Sequence, residues 1–407
     1  MRENAIYGRR DFLSVSGLYL GRFLLGYRSQ IPSADLDDFI YKKMERNHIP
    51  GLAAAIVRQR QVRWSKGYGW ASLDPKIKMT PDTLQNIGSI SKTFVGTAVM
   101  QLRDQGALQL DDNIDKHLDF SVHNPKHAHS PITFRQLMTH RSSIADGSAY
   151  ARGYGCGDSP ISLRDWIKGY FIAGGAFYNP EENFHPWAPG EKGEYNNVAF
   201  GLLAYLVEVI SGLSFSEYCR QRVFQPLGMN ETSWYLADIN IAHHAVPYSY
   251  VTRGVVRGPS WGGSAQGVIG ASKQTLVADR YAANCLYNHP NYPDGFLRTS
   301  VHQLAHYLLA YVDNGSLKGR RILAEGTVAE MLRPLYPEVD PNIRGLRQGL
   351  VWHGHDGVWG HSGGDPGINT LLNFNPSSGS GVIIFVNTWG AELDEVGERL
   401  LKEIDSL

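Results

Sequence analysis

The apolar positions near the start of the chain first follow the period of a helix and then that of strands. After Ser33, which favours a helix start, apolar residues recur at helical spacing from Leu36 to Met44, and the pattern stops at Asn47. Two runs of β-branched and aromatic residues follow, around residues 58–61, in GLAAAIVRQRQVRWSKGYGWAS. The pattern therefore predicts an amphipathic helix followed by a β-hairpin.

The middle of the chain has a mainly helical pattern, and the C-terminal part returns to strands. Helical spacing dominates residues 91–312, except between about 142 and 193, where Gly, Pro and aromatic residues are frequent. Near the C-terminus, RQGLVWHGHDGVWGHSGG has apolar runs around residues 356–357, and NTLLNFNPSSGSGVIIFVNT has two more. The last stretch, AELDEVGERLLKEIDSL, has the pattern of a helix.

This order predicts an α+β fold. If strands from both ends of the chain share one antiparallel β-sheet, helices flank that sheet and the helical middle is an inserted subdomain, with a cleft between the two parts. We expect one main domain over residues 34–407. Its α/β part would comprise residues 34–85 and about 300–407, and its helical part about 86–300.

Composition narrows the possible partners. The chain has 407 residues, 43% of them apolar, and its 39 Lys and Arg residues balance 39 Asp and Glu residues. Without a long run of like charge, no nucleic-acid groove is indicated. The most apolar stretch, VAFGLLAYLVEVISGL, contains a glutamate and is too short to span a bilayer, so no integral membrane segment is expected. We therefore expect a small-molecule substrate.

Residues 1–33 and the cysteines carry weaker signals. Arg9 and Arg10 precede a mildly apolar run that resembles a twin-arginine export signal, but the run is interrupted by an arginine and lacks an A-x-A cleavage site. Periplasmic export and a cytoplasmic protein with a short N-terminal helix both fit this segment. Cys156, Cys219 and Cys285 are far apart and odd in number, which predicts neither a disulfide framework nor a zinc site.

The stretch PDTLQNIGSISKTF contains the strongest chemical signal. It places Ser89 three residues ahead of Lys92, in the only Ser-x-x-Lys of the chain, at the start of a helix predicted from about Ile90 to Asp104. A serine needs a neighbouring base and donors for the oxyanion that forms on attack. The free N–H groups of a helix start supply donors, and a buried lysine has a lowered pKa and can accept the proton. A serine cap followed by a surface lysine is the alternative.

Two further motifs, GEYNNVAFG and GHSGGDPG, supply the second and third elements that this class of nucleophile needs. With them the chain resembles the serine β-lactamase and penicillin-binding protein superfamily, in particular its class C β-lactamase, DD-peptidase and esterase branch. The similarity covers roughly residues 34–400, in stretches such as LQNIGSISKTFVGTAVMQLRDQGALQLDDNIDKHL, ITFRQLMTHRSSI and LNFNPSSGSGVIIFVN. It is weakest at about 142–189 and 234–298.

The resemblance implies roles for named residues. Ser89 would be the acylated nucleophile and Lys92 the proton carrier beside it. Tyr195 would be the phenol or phenolate that passes protons to the leaving group and later activates water. Whether Lys92 or Tyr195 takes the first proton is not decided by the sequence. A phenol can act as a base only if nearby cations favour its anion, and Lys92 is the obvious candidate.

The same resemblance implies a binding strand. Asn197 would bind the acyl amide of the substrate and Lys92, and the backbone N–H of Gly364 would join that of Ser89 as an oxyanion donor. The remaining implied binding residues form the family's Lys-Thr-Gly position, occupied here by His361, Ser362 and Gly363. A histidine carries only part of a charge at pH 7, so we expect carboxylate binding to be weaker than with lysine and pH-dependent.

Other interpretations of the motifs are weaker. GHSGG fits a nucleophile elbow at Ser362, but that fold needs a later histidine and the chain has none beyond His361. GPSWG, around Ser260, lacks a preceding buried strand. HGHD, at residues 353–356, has the wrong offset for a metallo-β-lactamase site, and the histidines at 117–129 lack a carboxylate scaffold. We expect no metal and no cofactor.

The sequence thus predicts a serine hydrolase that forms an acyl-enzyme on Ser89 and hydrolyses esters or amides. One alternative with the same mechanism is a D-amino-acid peptidase, DD-carboxypeptidase or β-lactamase. An alternative of another class is a non-catalytic penicillin- or peptide-binding protein. The aromatic residues of the 142–189 segment either line an acyl pocket or pack a long loop.

Overall fold

The strands of both chain ends combine into one antiparallel sheet. A computed structural model describes residues 34–252, 255–256, 276–277, 280–336 and 347–403. The sheet has eight strands in the order β14-β15-β16-β17-β18-β1-β2-β3. These strands are β1 (Gly51–Arg58), β2 (Gln61–Leu73), β3 (Lys76–Lys78), β14 (Arg347–Gln348), β15 (His353–His355), β16 (Val358–Asp365), β17 (Ile368–Asn375) and β18 (Ser380–Val386). The α+β fold expected from the sequence is confirmed.

Ten short strands of the described residues lie in the chain between β3 and β14. They are β4 (Gln85–Asn86), β5 (Gly155–Cys156), β6 (Tyr248–Thr252), β7 (Val255–Val256), β8 (Leu276–Val277), β9 (Tyr281–Ala283), β10 (Tyr287–Asn288), β11 (Arg298–Thr299), β12 (Ser316–Leu317) and β13 (Arg320–Arg321). Strand β4 pairs with β11, and β5 pairs with β10. These pairs tie together segments that are more than a hundred residues apart in the chain.

The helices of the described residues differ widely in length. They are α1 (Ala34–Arg46), α2 (Ser91–Asp104), α3 (Phe134–Met138), α4 (Ser148–Ala151), α5 (Leu163–Phe171), α6 (Pro180–Asn183), α7 (Val198–Ser211), α8 (Phe215–Cys219), α9 (Gln225–Leu227), α10 (Val301–Val312), α11 (Thr327–Met331) and α12 (Asp394–Glu403). The predicted helices at the start of the chain, after Ser89 and at the C-terminus all correspond to described helices. The domain boundaries near residues 85 and 300 stay a prediction.

Both faces of the central sheet are covered. On β1, Leu52, Ala54 and Ile56 belong to the core formed with α1 and α12, whereas Ala53 and Ala55 belong to the larger core on the opposite face. All five side chains are fully buried. Because alternate side chains of a strand point to opposite faces, a strand covered on both sides reads as a continuous apolar run. This explains the unbroken GLAAAIV stretch.

The turns of the predicted hairpins need left-handed backbone conformations. Gln59 and Arg60 connect β1 and β2 with φ values of 50° and 59°. Asp356 and Gly357 connect β15 and β16 with φ values of 47° and 82°. Two consecutive residues with positive φ form the tight turn that matches the twist of paired strands. Both hairpins expected from the sequence are confirmed.

Some predictions fall outside the described residues or concern membranes. Arg9 and Arg10 of the export-like motif, and Ser260 of GPSWG, lie outside the described residues. Within the described ranges, no single helix is long and apolar enough to cross a membrane. Helix α7 and the segment Phe215–Leu227 pass that test only as a pair bent by 78°.

A disulfide corrects the prediction from the cysteines. Cys156 and Cys285 are bonded, with Cα atoms 5.7 Å apart and a sequence separation of 129. The bond joins the neighbourhoods of β5 and β10, which pair in the structure. Chain distance and the odd count were misleading, because the fold brings two of the three cysteines together and leaves Cys219 free and buried.

We expect the double variant Cys156→Ser/Cys285→Ser to lose about 2–4 kcal/mol of the free energy of unfolding, because the bond restricts the unfolded chain. Urea denaturation of the oxidised wild type and of the variant measures the difference. A dithiol reductant serves as the control, since it should destabilise the wild type and leave the variant unchanged. Three free thiols in the oxidised, unfolded wild type would contradict the bond.

Candidate active site

Ser89 lies in a single turn of 3₁₀-helix, Gly88–Ile90, that leads directly into α2. The preceding Asn86 accepts a hydrogen bond from the backbone N–H of Gly88 through its side chain, at 2.9 Å. Gly88 has a φ of 55°, a conformation that favours glycine. Ser89 is 4% exposed. The structure therefore places Ser89 at the start of the helix, as the sequence predicts.

Lys92 is fully buried beside this serine. Its Nζ donates hydrogen bonds to Ser89 Oγ at 3.0 Å and to the main-chain oxygen of Asp294 at 2.7 Å. Burial lowers the pKa of Lys92 to about 8, although the charges of Asp294, Asp146 and Asp365 act in the opposite direction. An amine with this pKa is partly neutral near neutral pH and can accept a proton. The surface-lysine alternative does not apply.

Tyr195 reaches the same place from the segment before α7. Lys92 Nζ lies 5.1 Å from the centre of its ring, and its buried hydroxyl faces Ser89. The ring also stacks on His140, with the ring centres 4.3 Å apart. Burial raises the pKa of Tyr195 well above its ordinary value, and the hydrogen bond to Ser89 acts against this only in part. The expectation that Lys92 favours the phenolate is therefore not met.

The glycines of β16 pack directly against the Ser89 turn. A Cβ atom on Gly88 would lie 2.8 Å from the backbone nitrogen of Gly364, and one on Gly363 would overlap the carbonyl oxygen of Ile87. Thr370 Oγ1 on the neighbouring strand donates to the same Ile87 oxygen at 2.7 Å. The backbone of β16 thus passes close to the turn that carries Ser89.

Residues 361–365 of β16 alternate in exposure. Ser362 and Gly364 are partly exposed, whereas His361, Gly363 and Asp365 are buried. His361 Nδ1 donates to its neighbour's carbonyl oxygen at 2.6 Å if that nitrogen carries the proton, and Nε2 is buried without a hydrogen-bond partner among the described residues. Burial lowers the pKa of His361 well below its ordinary range, and His353 and Lys92 add to the effect. His361 is neutral at pH 7, not partly charged as expected.

Asn197 is engaged at the start of α7. Its Nδ2 donates to Asp146 Oδ2 at 2.8 Å, and its backbone N–H donates to the same carboxylate. Asn196 Nδ2 and the backbone N–H of Val198 add bonds of 2.9 and 3.0 Å. A carboxylate at the N-terminus of a helix is stabilised by the free N–H groups there. The sequence analysis missed Asp146, which fixes the segment of Tyr195 and Asn197.

Two more acids near Lys92 were missed. The Asp294 carboxylate accepts from the Tyr150 hydroxyl at 2.6 Å, and the Asp365 carboxylate accepts from the Tyr154 hydroxyl at 2.9 Å. Burial raises the pKa of both carboxyl groups, that of Asp365 to about 8. Asp294 belongs to no recognisable motif, and Asp365 lies within GHSGGDPG but was given no role there. The two tyrosines stood out only as members of the aromatic-rich segment.

Most aromatic residues of that segment pack the interior. Its buried members in the large core are Tyr150, Trp166, Tyr170, Phe171 and Phe184. Tyr154, Phe177 and Tyr178 pack against this core and are partly buried. These contacts favour the packing interpretation over an acyl pocket.

No group of His, Cys, Asp or Glu in the described part of the chain is arranged to hold a metal ion.

A family model and a curated relative both match most of this chain. A family model described as Beta-lactamase matches residues 36–405. Protein flp of Staphylococcus aureus is 24% identical over 372 residues, which cover 91% of this chain and 66% of that protein. The chain thus spans just under two thirds of that relative's length.

Solved structures share the fold. An octameric penicillin-binding protein homologue from Pyrococcus abyssi has a TM-score of 0.68 and 23% identity, with 91% of this chain and 77% of that chain covered. A class C beta lactamase from Rhodobacter sphaeroides has a TM-score of 0.63 and 18% identity, with 91% and 99% covered. At this identity the likeness supports the fold alone.

We expect Gly363→Ala to lower the free energy of unfolding by about 1–3 kcal/mol, because the added methyl group would overlap the Ile87 carbonyl oxygen. Chemical denaturation measures the change. Gly155→Ala in β5 is the matched control, since a Cβ atom there meets no atom within 4 Å. Equal stability of the two variants would show that β16 and the Ser89 turn are not packed as described.

Proposed function

The chain belongs to the beta-lactamase family, and we propose that it is a serine hydrolase that forms an acyl-enzyme on Ser89 and hydrolyses esters or amides. The 3.0 Å hydrogen bond between Lys92 Nζ and Ser89 Oγ, made in a buried setting, carries this proposal. A serine becomes a nucleophile when a base that is neutral at working pH lies within hydrogen-bond reach of it. Lys92 lies within that reach, and its lowered pKa leaves a fraction of its amines neutral near pH 7.

In the first step Ser89 Oγ attacks the carbonyl carbon of the substrate and Lys92 takes the hydroxyl proton. The pKa values favour this order, since that of Lys92 is lowered to about 8 while that of Tyr195 is raised. At pH 7 about a tenth of the Lys92 amines are neutral, and far fewer Tyr195 hydroxyls are ionised. The two shifts support Lys92 as the first proton acceptor, a choice that the sequence left open.

Tyr195 would act on the leaving group. Because its pKa is high, the hydroxyl keeps its proton and can donate it as the bond between the carbonyl carbon and the leaving group breaks. The proton held by Lys92 then restores the phenol. In the second step water attacks the acyl carbon and gives a proton to the same pair of residues; that proton passes to Ser89 Oγ as its bond to the acyl carbon breaks, which releases the acid and free Ser89.

The oxyanion formed on attack would be held by two backbone N–H groups, those of Ser89 and Gly364. Their placement is supported by the packing of the Gly363 and Gly364 backbone against the turn at Gly88. Preorganised donors of this kind often contribute the largest share of stabilisation in acyl transfer. Asn197 would contact the acyl side of the substrate while Asp146 holds its amide group.

His361 favours uncharged substrates over carboxylates. A neutral, buried imidazole offers no cation to an anionic substrate, unlike the lysine of the family's β-lactamases. Ser362, on the partly exposed side of β16, can still donate its hydroxyl to a carbonyl oxygen. We therefore place esters and uncharged amides ahead of β-lactams and DD-peptides, which share the mechanism but carry a carboxylate.

Wild-type protein should show a burst with a chromogenic short-chain ester, followed by slower turnover, because acylation precedes hydrolysis. We expect Ser89→Ala to abolish the burst and to lower kcat by roughly a thousandfold or more. The exposed Ser121→Ala is the matched control and should behave as wild type. Turnover that survives Ser89→Ala would refute the mechanism.

Mass spectrometry of the same proteins separates the candidate functions. Each is incubated with a fluorophosphonate probe, a chromogenic ester, a D-Ala-D-Ala peptide and nitrocefin, and the modified residue is located. Preferred turnover of the ester supports the proposal. Preferred turnover of the peptide or nitrocefin favours the alternative within the same chemistry, and failure of every reagent to modify the protein favours a non-catalytic binder.

The rate of acylation should rise with pH through a midpoint of about 8, because only the neutral form of Lys92 accepts the proton. Below that midpoint kcat/KM should fall about tenfold per pH unit. Lys92→Arg keeps the positive charge but removes the base, and we expect a loss of roughly a hundredfold or more without the midpoint at 8. A flat profile from about pH 6 to about pH 9 in the wild type would contradict Lys92 as the base.

A further inference from the structure

Asp294 contacts the Lys92 amine in two ways. Its main-chain oxygen accepts a hydrogen bond from Nζ at 2.7 Å, and its carboxylate oxygen Oδ2 lies 3.8 Å from the same nitrogen. The main-chain contact does not depend on the side chain of residue 294. A substitution there can therefore remove the carboxylate charge while the carbonyl acceptor stays in place.

The carboxylate of Asp294 is held from both sides. Oδ2 accepts from the Tyr150 hydroxyl at 2.6 Å, and Oδ1 accepts from Asn291 Nδ2 at 3.1 Å. Asn291 is fixed in turn, since its Oδ1 accepts from Trp166 Nε1 at 2.9 Å. Asp294 is 2% exposed. A buried carboxylate with these partners keeps one orientation, because any rotation would leave a polar group unpaired.

No other carboxylate of the described residues comes within 4 Å of Lys92 Nζ. Asp146 and Asp365 act on Lys92 from farther away, and both are engaged elsewhere, by the start of α7 and by Tyr154. His140 and His361, which also face Lys92, have pKa values lowered by burial and are neutral at pH 7. The remaining titratable neighbour, the Tyr195 hydroxyl, stays protonated.

Two opposing effects act on the amine. Removal from water disfavours the charged form of Lys92, and the adjacent negative charge of Asp294 favours it. A charge pair less than 4 Å apart in a buried site interacts more strongly than the same pair in water. The carboxylate of Asp294 therefore favours the protonated form of Lys92.

We propose that Asp294, held by Tyr150, is a positioning residue that orients the Lys92 amine toward Ser89 and sets the pH above which that amine becomes a base. This inference rests on the proposed function, because it concerns the activation of Ser89. The Asp294 carboxylate acts through Lys92, since its hydrogen bonds are made with Tyr150 and Asn291 and its charge lies 3.8 Å from the Lys92 amine. Its role is visible in the pH profile, which a purely structural contact would not move.

The test measures the second-order rate of Ser89 labelling by a fluorophosphonate probe from about pH 5 to about pH 10. Asp294→Asn preserves the shape of the side chain and removes its charge. We expect the midpoint of the profile to move down by roughly one to two pH units, since an adjacent opposite charge changes a pKa by about that amount. Asp158→Asn is the matched control, because the Asp158 carboxylate accepts hydrogen bonds from the Leu236 backbone N–H and from Asn288 Nδ2. The midpoint of this control variant should equal that of the wild type.

A second variant covers the case in which Asp294→Asn does not fold. Tyr150→Phe keeps the carboxylate but removes its closest donor, so Asp294 takes up a proton at higher pH and loses part of its charge. We expect its midpoint to move in the same direction by a smaller amount. Circular dichroism and denaturation establish which variants are folded.

The outcomes separate this inference from the proposed function. A wild type that is not labelled on Ser89 refutes the proposed function. A wild type labelled on Ser89, together with a folded Asp294→Asn whose midpoint is unchanged or higher, overturns the role of Asp294 and leaves the proposed function standing. If only Tyr150→Phe folds, an unchanged midpoint in that variant overturns the role of Asp294, and a lowered midpoint supports it.

Discussion

The candidate site depends on one balance: burial disfavours the charge on the Lys92 amine, and the nearby acids favour it. Full burial alone can lower the pKa of a lysine by roughly 3–5 units, yet Lys92 keeps a pKa of about 8. The difference is supplied by acids in the surrounding segments, with Asp294 nearest. The site holds an amine that is charged most of the time but can give up its proton near neutral pH. A fully neutral lysine would lose the charge attraction to the Asp294 carboxylate, and a surface lysine would be too basic.

The fold meets this requirement by bringing distant segments to one turn. The Ser89 turn is bounded by β16, by the segment before α7 and by the Asp294 turn, which lies more than two hundred residues further along the chain. Since β16 belongs to the sheet formed by both chain ends, the position of Gly364 relative to Ser89 is fixed by the sheet itself. The close approach is possible because Gly363 has no side chain.

Local patterns in the sequence predicted local structure well. The helix after Ser89 and the hairpins at residues 58–61 and 356–357 follow from apolar spacing and turn residues, and their tertiary surroundings agree with that preference. The membership of Tyr195 and of the β16 motif in one site came from the resemblance to a family. Spacing alone could not have joined segments more than a hundred residues apart.

The failures have a shared physical cause. The Cys156–Cys285 bond, the acids Asp146 and Asp294, and the direction of the pKa shift of Tyr195 all depend on which groups meet in three dimensions and on how far water is excluded. A sequence read residue by residue assigns each group its ordinary pKa. The prediction for His361 failed for this reason, since a histidine is partly charged in water but neutral when buried beside Lys92.

The segment of residues 150–156 links the electrostatics of the site to the covalent structure. Within this segment the Tyr150 hydroxyl donates to Asp294 and the Tyr154 hydroxyl donates to Asp365. Cys156 forms the disulfide with Cys285, which lies two residues before Tyr287 in the chain. The Tyr287 hydroxyl donates to the carbonyl oxygen of residue 366, directly after Asp365. Both acids thus receive a tyrosine hydrogen bond from one short segment, which a disulfide attaches to the chain just before the strand beside it. The irregular, aromatic-rich part of the chain therefore contributes to the proton chemistry of Lys92, because it fixes the carboxylates that set the charge around that amine.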